Sequence, residues 1–242
     1  MTSQDSIKHL RYELLKILIR NTIRTSRLFE ISGSWENYYV TVKQLPERFK
    51  HVVPFVVEAL PTFKRRKTRH VLDLGCGAGR HCIYLAKNGF DVAGVDVSMS
   101  ALRLAKEWAG QEDLKNLKFA RASMTHIPFS DCQFDAVISV SVIHHAVKKD
   151  IEKTLDEVHR ILSKNGLFLA NLTSVDDPRY GAGQKVEIDT FRTLEAFEEK
   201  RFEELHHYFT EREVSELLDC FAKVEVELLK DRPHYWKITA LK

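Results

Sequence analysis

The chain is poor in the residues that staple or break structure. Its four cysteines (Cys76, Cys82, Cys132, Cys220) form no CxxC pair and no metal-ligand spacing, so reduced thiols and an intracellular, cytoplasmic setting are expected. With only ten glycines and six prolines, and with 44% hydrophobic and 29% charged residues, regular structure should dominate, and a disordered or fibrous chain is excluded. No apolar run approaches the roughly 18 residues that span a bilayer. Lys8, Arg11, Glu13 and Lys16 interrupt the N-terminal apolar stretches, so no signal peptide is expected. A bias of charge is also missing: 37 basic against 34 acidic residues leave a net +3, too mild to argue for nucleic acid. The 242 residues suit one large domain, or one domain with an appendage.

What is present is an order of elements. From Ser6 to about Phe29, apolar residues recur at helical spacing among Lys8, Arg11, Lys16, Arg20, Arg24 and Arg27, ending at Ser32-Gly33-Ser34. The aromatic run Trp35-Glu36-Asn37-Tyr38-Tyr39 follows, and then a helix from Leu45 to Leu60 that Pro54 kinks or restarts. After the basic stretch Lys64–Arg69 the pattern alternates. Strands are expected at His70–Leu74, Phe90–Val95, Leu117–Ala122, Phe134–Val140 and Leu167–Leu172. Helices are expected after the first glycine loop, over Ser98–Ala109, and over Ile151–Leu162 with a stop at Asn165-Gly166. Such alternation predicts an α/β open parallel sheet covered on both faces. Residues 173–209 show no clean period and read as an insertion. A helix Glu211–Leu218 and two closing strands, Val224–Leu229 and Trp236–Leu241, end the chain.

The most informative run is Val71-Leu72-Asp73-Leu74-Gly75-Cys76-Gly77-Ala78-Gly79-Arg80. A strand enters three alternating glycines and then a helix, so the backbone can turn sharply and approach a ligand closely. Asp96 stands 21 residues after Gly75, at the end of the second strand, where a carboxylate can accept from both ribose hydroxyls of an adenosine. The spacing is GxGxG, neither the dinucleotide fingerprint nor a phosphate loop. Asp73 would repel a pyrophosphate and suit an ammonium group. Adenosine with an amino-acid end points to S-adenosylmethionine.

These residues, with Phe134-Asp135-Ala136-Val137-Ile138-Ser139 and Leu162-Ser163-Lys164-Asn165-Gly166, resemble the motifs of class I SAM-dependent methyltransferases over about residues 68–172. Gly79–Ala86 and Asn88–Val92 look closest to the small-molecule branch that contains the tellurite-resistance methyltransferases. The resemblance implies a Rossmann-like class I methyltransferase fold: a mostly parallel seven-stranded sheet with an antiparallel last strand, here preceded by N-terminal helices. It implies S-adenosylmethionine as cofactor and S-adenosylhomocysteine as product. Carried over by position, Asp73, Gly75, Cys76 and Gly77 would line the methionine and ribose, and Asp96 would hold the ribose. Val97 would pack on adenine, and Ser123 and Met124 would stand beside its amino group, where Ser123 departs from the family's usual acid. The Ser139 carbonyl would face the methionine amino group, and Tyr39 would close the site as part of a lid.

The division expected is an N-terminal helical cap over 1–64 and a SAM-binding domain over 65–242, with 173–209 shaping the substrate pocket. His144 and His145, after the fourth strand, are candidates for a general base, the competing reading being helix-start packing. His206-His207 could face the same pocket or anchor a loop. Two His-His pairs are too little to claim a metal site, and none is assigned. A small-molecule acceptor is expected. The alternatives are an RNA methyltransferase holding phosphates with Lys64-Arg65-Arg66-Lys67 and the N-terminal arginines, or a non-catalytic SAM-binding assembly protein. No NPPY-type tetrapeptide follows the fourth strand, which disfavours attack by a base nitrogen. The basic N-terminal helix reads as a cover for the sheet, or as a contact for an anionic membrane surface, RNA or a partner helix.

Overall fold

A computed structural model describes residues 35–42, 44–197, 200–230 and 234–242. The helix expected over Ser6–Phe29 and the turn at 32–34 lie outside the described residues. The aromatic run is helical over residues 35–40. The single helix expected from Leu45 to Leu60 is instead a 3-10 turn, Glu47–Phe49, followed by α1, Pro54–Arg65. Pro54 occupies the first turn of α1, where its missing N–H forfeits no helical bond, so it starts the helix and does not kink it.

From there the order is β1 (His70–Leu74), α2 (Arg80–Lys87), β2 (Asp91–Asp96), α3 (Met99–Gln111), β3 (Leu117–Arg121), β4 (Phe134–Ser139), α4 (Lys148–Ile161) and β5 (Leu162–Thr173). β6 (Gln184–Glu187), β7 (Thr190–Phe197), β8 (Lys200–His207), α5 (Glu211–Leu217), β9 (Lys223–Leu229) and β10 (Tyr235–Leu241) complete it. Seven strands form one sheet in the order β3-β2-β1-β4-β5-β10-β9. β10 runs antiparallel to both β5 and β9, and the other pairings are parallel. This is the Rossmann-like arrangement expected from the sequence, with the last strand inserted.

Each strand splits its side chains between two apolar layers, as a period of two requires. In β4, Val137 joins the layer formed with Ile151, Leu155 and Val158 of α4, while Ala136 and Ile138 join Phe55, Leu60 and Phe63 of α1. Asn165-Gly166 does not end a helix. α4 already stops at Ile161, and the two residues sit in an irregular opening of β5, where pairing with β4 jumps from Phe134↔Leu162 to Ala136↔Leu167. The expected strand Leu167–Leu172 is the regularly paired part of β5.

The insertion is more ordered than its sequence suggests. Residues 173–209 contain a second, antiparallel sheet in the order β6-β7-β8. It is tied to the main sheet where His207 N–H donates to the His144 carbonyl at 2.8 Å and Phe209 N–H donates to the Thr173 carbonyl at 2.7 Å. The sheet therefore stands over the carboxyl ends of the parallel strands, the edge at which open α/β folds bind ligands.

Candidate active site

A cavity of about 380 Å³ opens at that edge. One end is formed by the loops after β1, β2 and β3: Gly75, Cys76, Gly77, Asp96, Val97, Ser123 and Met124 all line it. The loop geometry follows from two glycines. Gly75 has φ +71° and Gly77 φ +52°, in the left-handed region that a side chain strains. A Cβ on Gly77 would come within 2.9 Å of the Tyr39 hydroxyl, and one on Gly75 would strike Val142. Asp96 locks the loop to the next helix, because Gly77 N–H donates to its Oδ2 and Ser98 N–H to its Oδ1, each at 2.8 Å. A carboxylate has about four acceptor sites, so these amides leave room for a ligand hydroxyl. Burial pushes the Asp96 carboxyl up, while these backbone donors oppose the shift.

The aromatic segment roofs this end. Glu36 accepts from Ser98 Oγ at 2.7 Å, Ser100 N at 3.1 Å and Ser100 Oγ at 2.7 Å, which pins residues 35–40 to the start of α3. Burial works against the Glu36 carboxylate, yet these donors hold its pKa below the ordinary value. Trp35 and Tyr39 line the cavity, and Trp35 meets Phe202 of β8 edge-on with ring centres 5.2 Å apart. The roof thus joins the N-terminal segment to the inserted sheet.

The far end is made of side chains from distant parts of the chain. His144, His145, Arg179, Glu195, Glu204, His206 and Tyr235 converge there. His145 Nδ1 lies 2.9 Å from the Leu205 carbonyl, and His206 Nδ1 lies 2.8 Å from Thr193 Oγ1. Arg179 is paired to Asp177 at 2.8 Å. Burial holds all three imidazoles neutral: His144 well below the ordinary value, His145 down to about 4, and His206 down to about 2.

Two expected cofactor residues do not reach the cavity. Asp73 points to the back of the loop, where Cys82 Sγ donates to its Oδ2 at 3.2 Å and His81 Nδ1 lies 4.0 Å away. Ser139 is buried within the sheet and donates to the Leu74 carbonyl at 3.3 Å, so Val140, Ser141 and Val142 form the wall. The period of two explains both, since β1 and β4 turn alternate residues away from the site. His207 also faces elsewhere, bonded to Thr190 and Glu213.

Other residues the sequence reading passed over belong to the site. Arg80 lines the cavity and makes no ion pair among the described residues. Its one signal was its place as the first residue after the glycines. Glu36 could have been noticed as the lone acid of an aromatic run. Nothing in local spacing marked Arg179, Glu195, Glu204 or Tyr235.

Residues 72–170 match the family model described as a methyltransferase domain, which covers less than half of the chain. A putative methyltransferase of Geobacillus is 29% identical over 121 residues, 50% of this chain and 49% of that protein. The chain spans about half the length of the curated relatives it matches. Among solved structures, a SAM-dependent methyltransferase of Methanosarcina mazei superposes with TM-score 0.64 at 23% identity, covering 79% of this chain and 98% of its own. The Burkholderia thailandensis 1,6-didemethyltoxoflavin-N1-methyltransferase, solved with 1,6-didemethyltoxoflavin and S-adenosylhomocysteine bound, gives TM-score 0.54 at 24% identity over 78% of each chain. Residues 72–170 thus resemble a methyltransferase domain, and the sheet around them has the Rossmann-like fold of these methyltransferase structures.

Proposed function

We propose, from this domain and its cavity, that the chain is a SAM-dependent methyltransferase acting on a small-molecule acceptor. The observation that carries the reading is the single cavity in which the glycine loop and Asp96 meet the acceptor-side cluster under one aromatic roof. The residues fit the cofactor. The glycine loop leaves a cradle that side chains would fill, Asp96 keeps free acceptor sites for a ribose, and Val97 and Met124 offer apolar walls to a base. Arg80, without an ion-pair partner among the described residues, suits the carboxylate of an amino-acid end. Bound here, S-adenosylmethionine supplies a methyl group on a sulfonium, open to in-line attack.

The chain's own contribution is alignment and exclusion of water. Trp35, Tyr39 and Phe202 close the site, so residues 35–42 act as a cap, whereas α1, expected within the cap 1–64, packs against the sheet as part of the domain's core. The inserted sheet supplies Glu195, Glu204 and His206 to orient a polar acceptor. His144 and His145 stand at the acceptor end, where the general base was expected. The likeness to the tellurite-resistance branch, carried by Gly79–Ala86 and Asn88–Val92, belongs to this proposal, as does a cytoplasmic location. No described helix is long and apolar enough to cross a membrane.

An RNA acceptor is disfavoured by position. Lys64–Lys67 lie at the end of α1, just before the amino end of β1, whereas the glycine loop leaves its carboxyl end. The test is transfer of label from radioactive S-adenosylmethionine into a metabolite extract and, separately, into an RNA pool. Label in low-mass products alone is expected. Label in RNA would overturn the small-molecule reading, and cofactor binding with label in neither pool would favour a non-catalytic SAM-binding protein.

A further inference from the structure

We infer that His144, His145 and His206 form a site for one divalent transition-metal ion, with Glu195 beside it, at the acceptor end of the cavity. The three residues offer nitrogen atoms that all lie within 4.8 Å of one another. Three such points fit a circle of radius under about 2.8 Å, against metal–nitrogen bonds of about 2.0–2.1 Å, so small side-chain rotations close the set.

The hydrogen bonds around the rings assign the ligating atoms. His145 Nδ1 sits 2.9 Å from the Leu205 carbonyl, which can only accept, so Nδ1 carries the proton and Nε2 presents its lone pair. In His206, Nδ1 meets Thr193 Oγ1 at 2.8 Å. The Thr193 hydroxyl also lies 3.4 Å from the Glu204 carbonyl and from Glu195 Oε1, and when its proton turns to one of them its oxygen accepts from His206 Nδ1. That leaves the lone pair of His206 Nε2 facing Glu195 Oε1 at 3.4 Å. A metal ion there would hold both atoms, in place of the proton that the other tautomer puts between them. His144 Nδ1 is buried and has no hydrogen-bond partner among the described residues. An unsatisfied buried nitrogen is costly, and a metal ion would satisfy it.

The surroundings agree with a metal centre. Metal-bound histidines ordinarily give their other N–H to a carbonyl, carboxylate or hydroxyl, as His145 does to the Leu205 carbonyl and His206 does to Thr193 in the tautomer with Nδ1 protonated. Burial keeps the imidazoles neutral, the form that binds metal. The nearby Arg179 charge is balanced by Asp177. Three nitrogen ligands with at most one carboxylate suit Zn²⁺, Co²⁺ or Ni²⁺ and not Mg²⁺ or Ca²⁺. Sequence spacing could not reveal the set, because His206 comes from β8 and the pair from the loop after β4.

The site stands on its own geometry, whether or not the methyl-transfer reading holds. The test is calorimetric titration of the chelator-treated, tag-free full chain with Zn²⁺, together with the visible spectrum of the Co²⁺ form. Binding of about one ion per chain is expected, with nitrogen-rich tetrahedral or five-coordinate Co²⁺ absorption. His206→Gln should weaken binding by more than about 100-fold, and Thr193→Val, which removes only the orienting partner, by about 10–100-fold. Asp96→Ala should leave metal binding intact, and His206→Gln should leave S-adenosylmethionine binding intact, so the two readings fail separately. The inference is overturned if the wild-type chain takes up no ion, or if both folded variants bind it as the wild type does. Should His206→Gln not fold, Thr193→Val and the Co²⁺ spectrum decide.

Discussion

The two ends of the cavity are built by opposite means. The cofactor end comes from neighbouring loops of the first strands, and its shape is set by backbone: three glycines with positive φ and amides locked to Asp96. The acceptor end draws on residues from 144 to 235, and its shape is set by side chains alone. A site made of backbone depends on a few residues that nothing can replace. A site made of side chains divides its work among many, and its chemistry can change while the sheet beneath it stays the same.

The sharpest way to break the comparison is Asp96→Ala. It removes the proposed ribose acceptor and also releases the Gly77 and Ser98 amides. Losing charge-assisted hydrogen bonds of this kind costs about 1.5–3 kcal/mol each, so S-adenosylmethionine affinity should fall at least about 10–100-fold. Calorimetry checks this. Single substitutions at Glu204 or Tyr235 should leave cofactor affinity within about threefold, since they belong to the other end. Equal losses from both ends would mean that the cavity acts as one cooperative unit.

The same contrast decides what the sequence disclosed. The glycine loop, Asp96 and the closing strands were legible because each is a local pattern that repeats a backbone requirement. The inserted sheet was not, because its alternation runs against the usual rule. On β7, Thr193 is buried while Leu194 is 61% exposed, and Glu195 points inward. On β8, Glu204 and His206 are buried. Polar residues face in because the sheet covers a polar cavity and not an apolar core, so the hydrophobic pattern that marks a strand is absent. Asp73 and Ser139 lie outside the cavity's lining for a simpler reason. Their motif positions were known, but the face of the strand each one takes is fixed by pairing and packing.

A smaller effect is expected where the two ends share a roof. Glu36→Ala removes three hydrogen bonds that hold the aromatic segment over both, and each is worth about 0.5–1.5 kcal/mol net, discounted for partial exposure. Cofactor affinity should fall about 10-fold, with a comparable rise in acceptor KM, measured by calorimetry and steady-state kinetics. Glu36→Gln, which keeps the shape and can still accept from serine hydroxyls, should recover part of both. The Glu36 carboxyl is held below its unfolded value. Its contribution is therefore complete above the unfolded pKa near 4.5 and is lost as pH falls through the lower folded value.

Asp73→Asn should change the site least, which makes it the finest probe of how the loop is arranged. Burial raises the Asp73 carboxyl from 3.8 to about 7, opposed by the Cys82 hydrogen bond and the Arg80 charge. The folded state therefore holds a proton that the unfolded state has released between those two values. By linkage, the stability tied to Asp73 is full below about pH 4, declines as pH rises, and is gone above about pH 7. The amide of Asn stays neutral throughout, so the variant should lack this decline and gain on the wild type as pH rises from 4 to 8. Melting temperatures of the two chains across that range measure it, with the other groups common to both. Cofactor affinity at pH 7 should stay within about twofold, because the carboxylate faces Cys82 and His81 behind the loop. A tenfold loss of affinity would return Asp73 to the methionine end, where the glycine motif alone had put it.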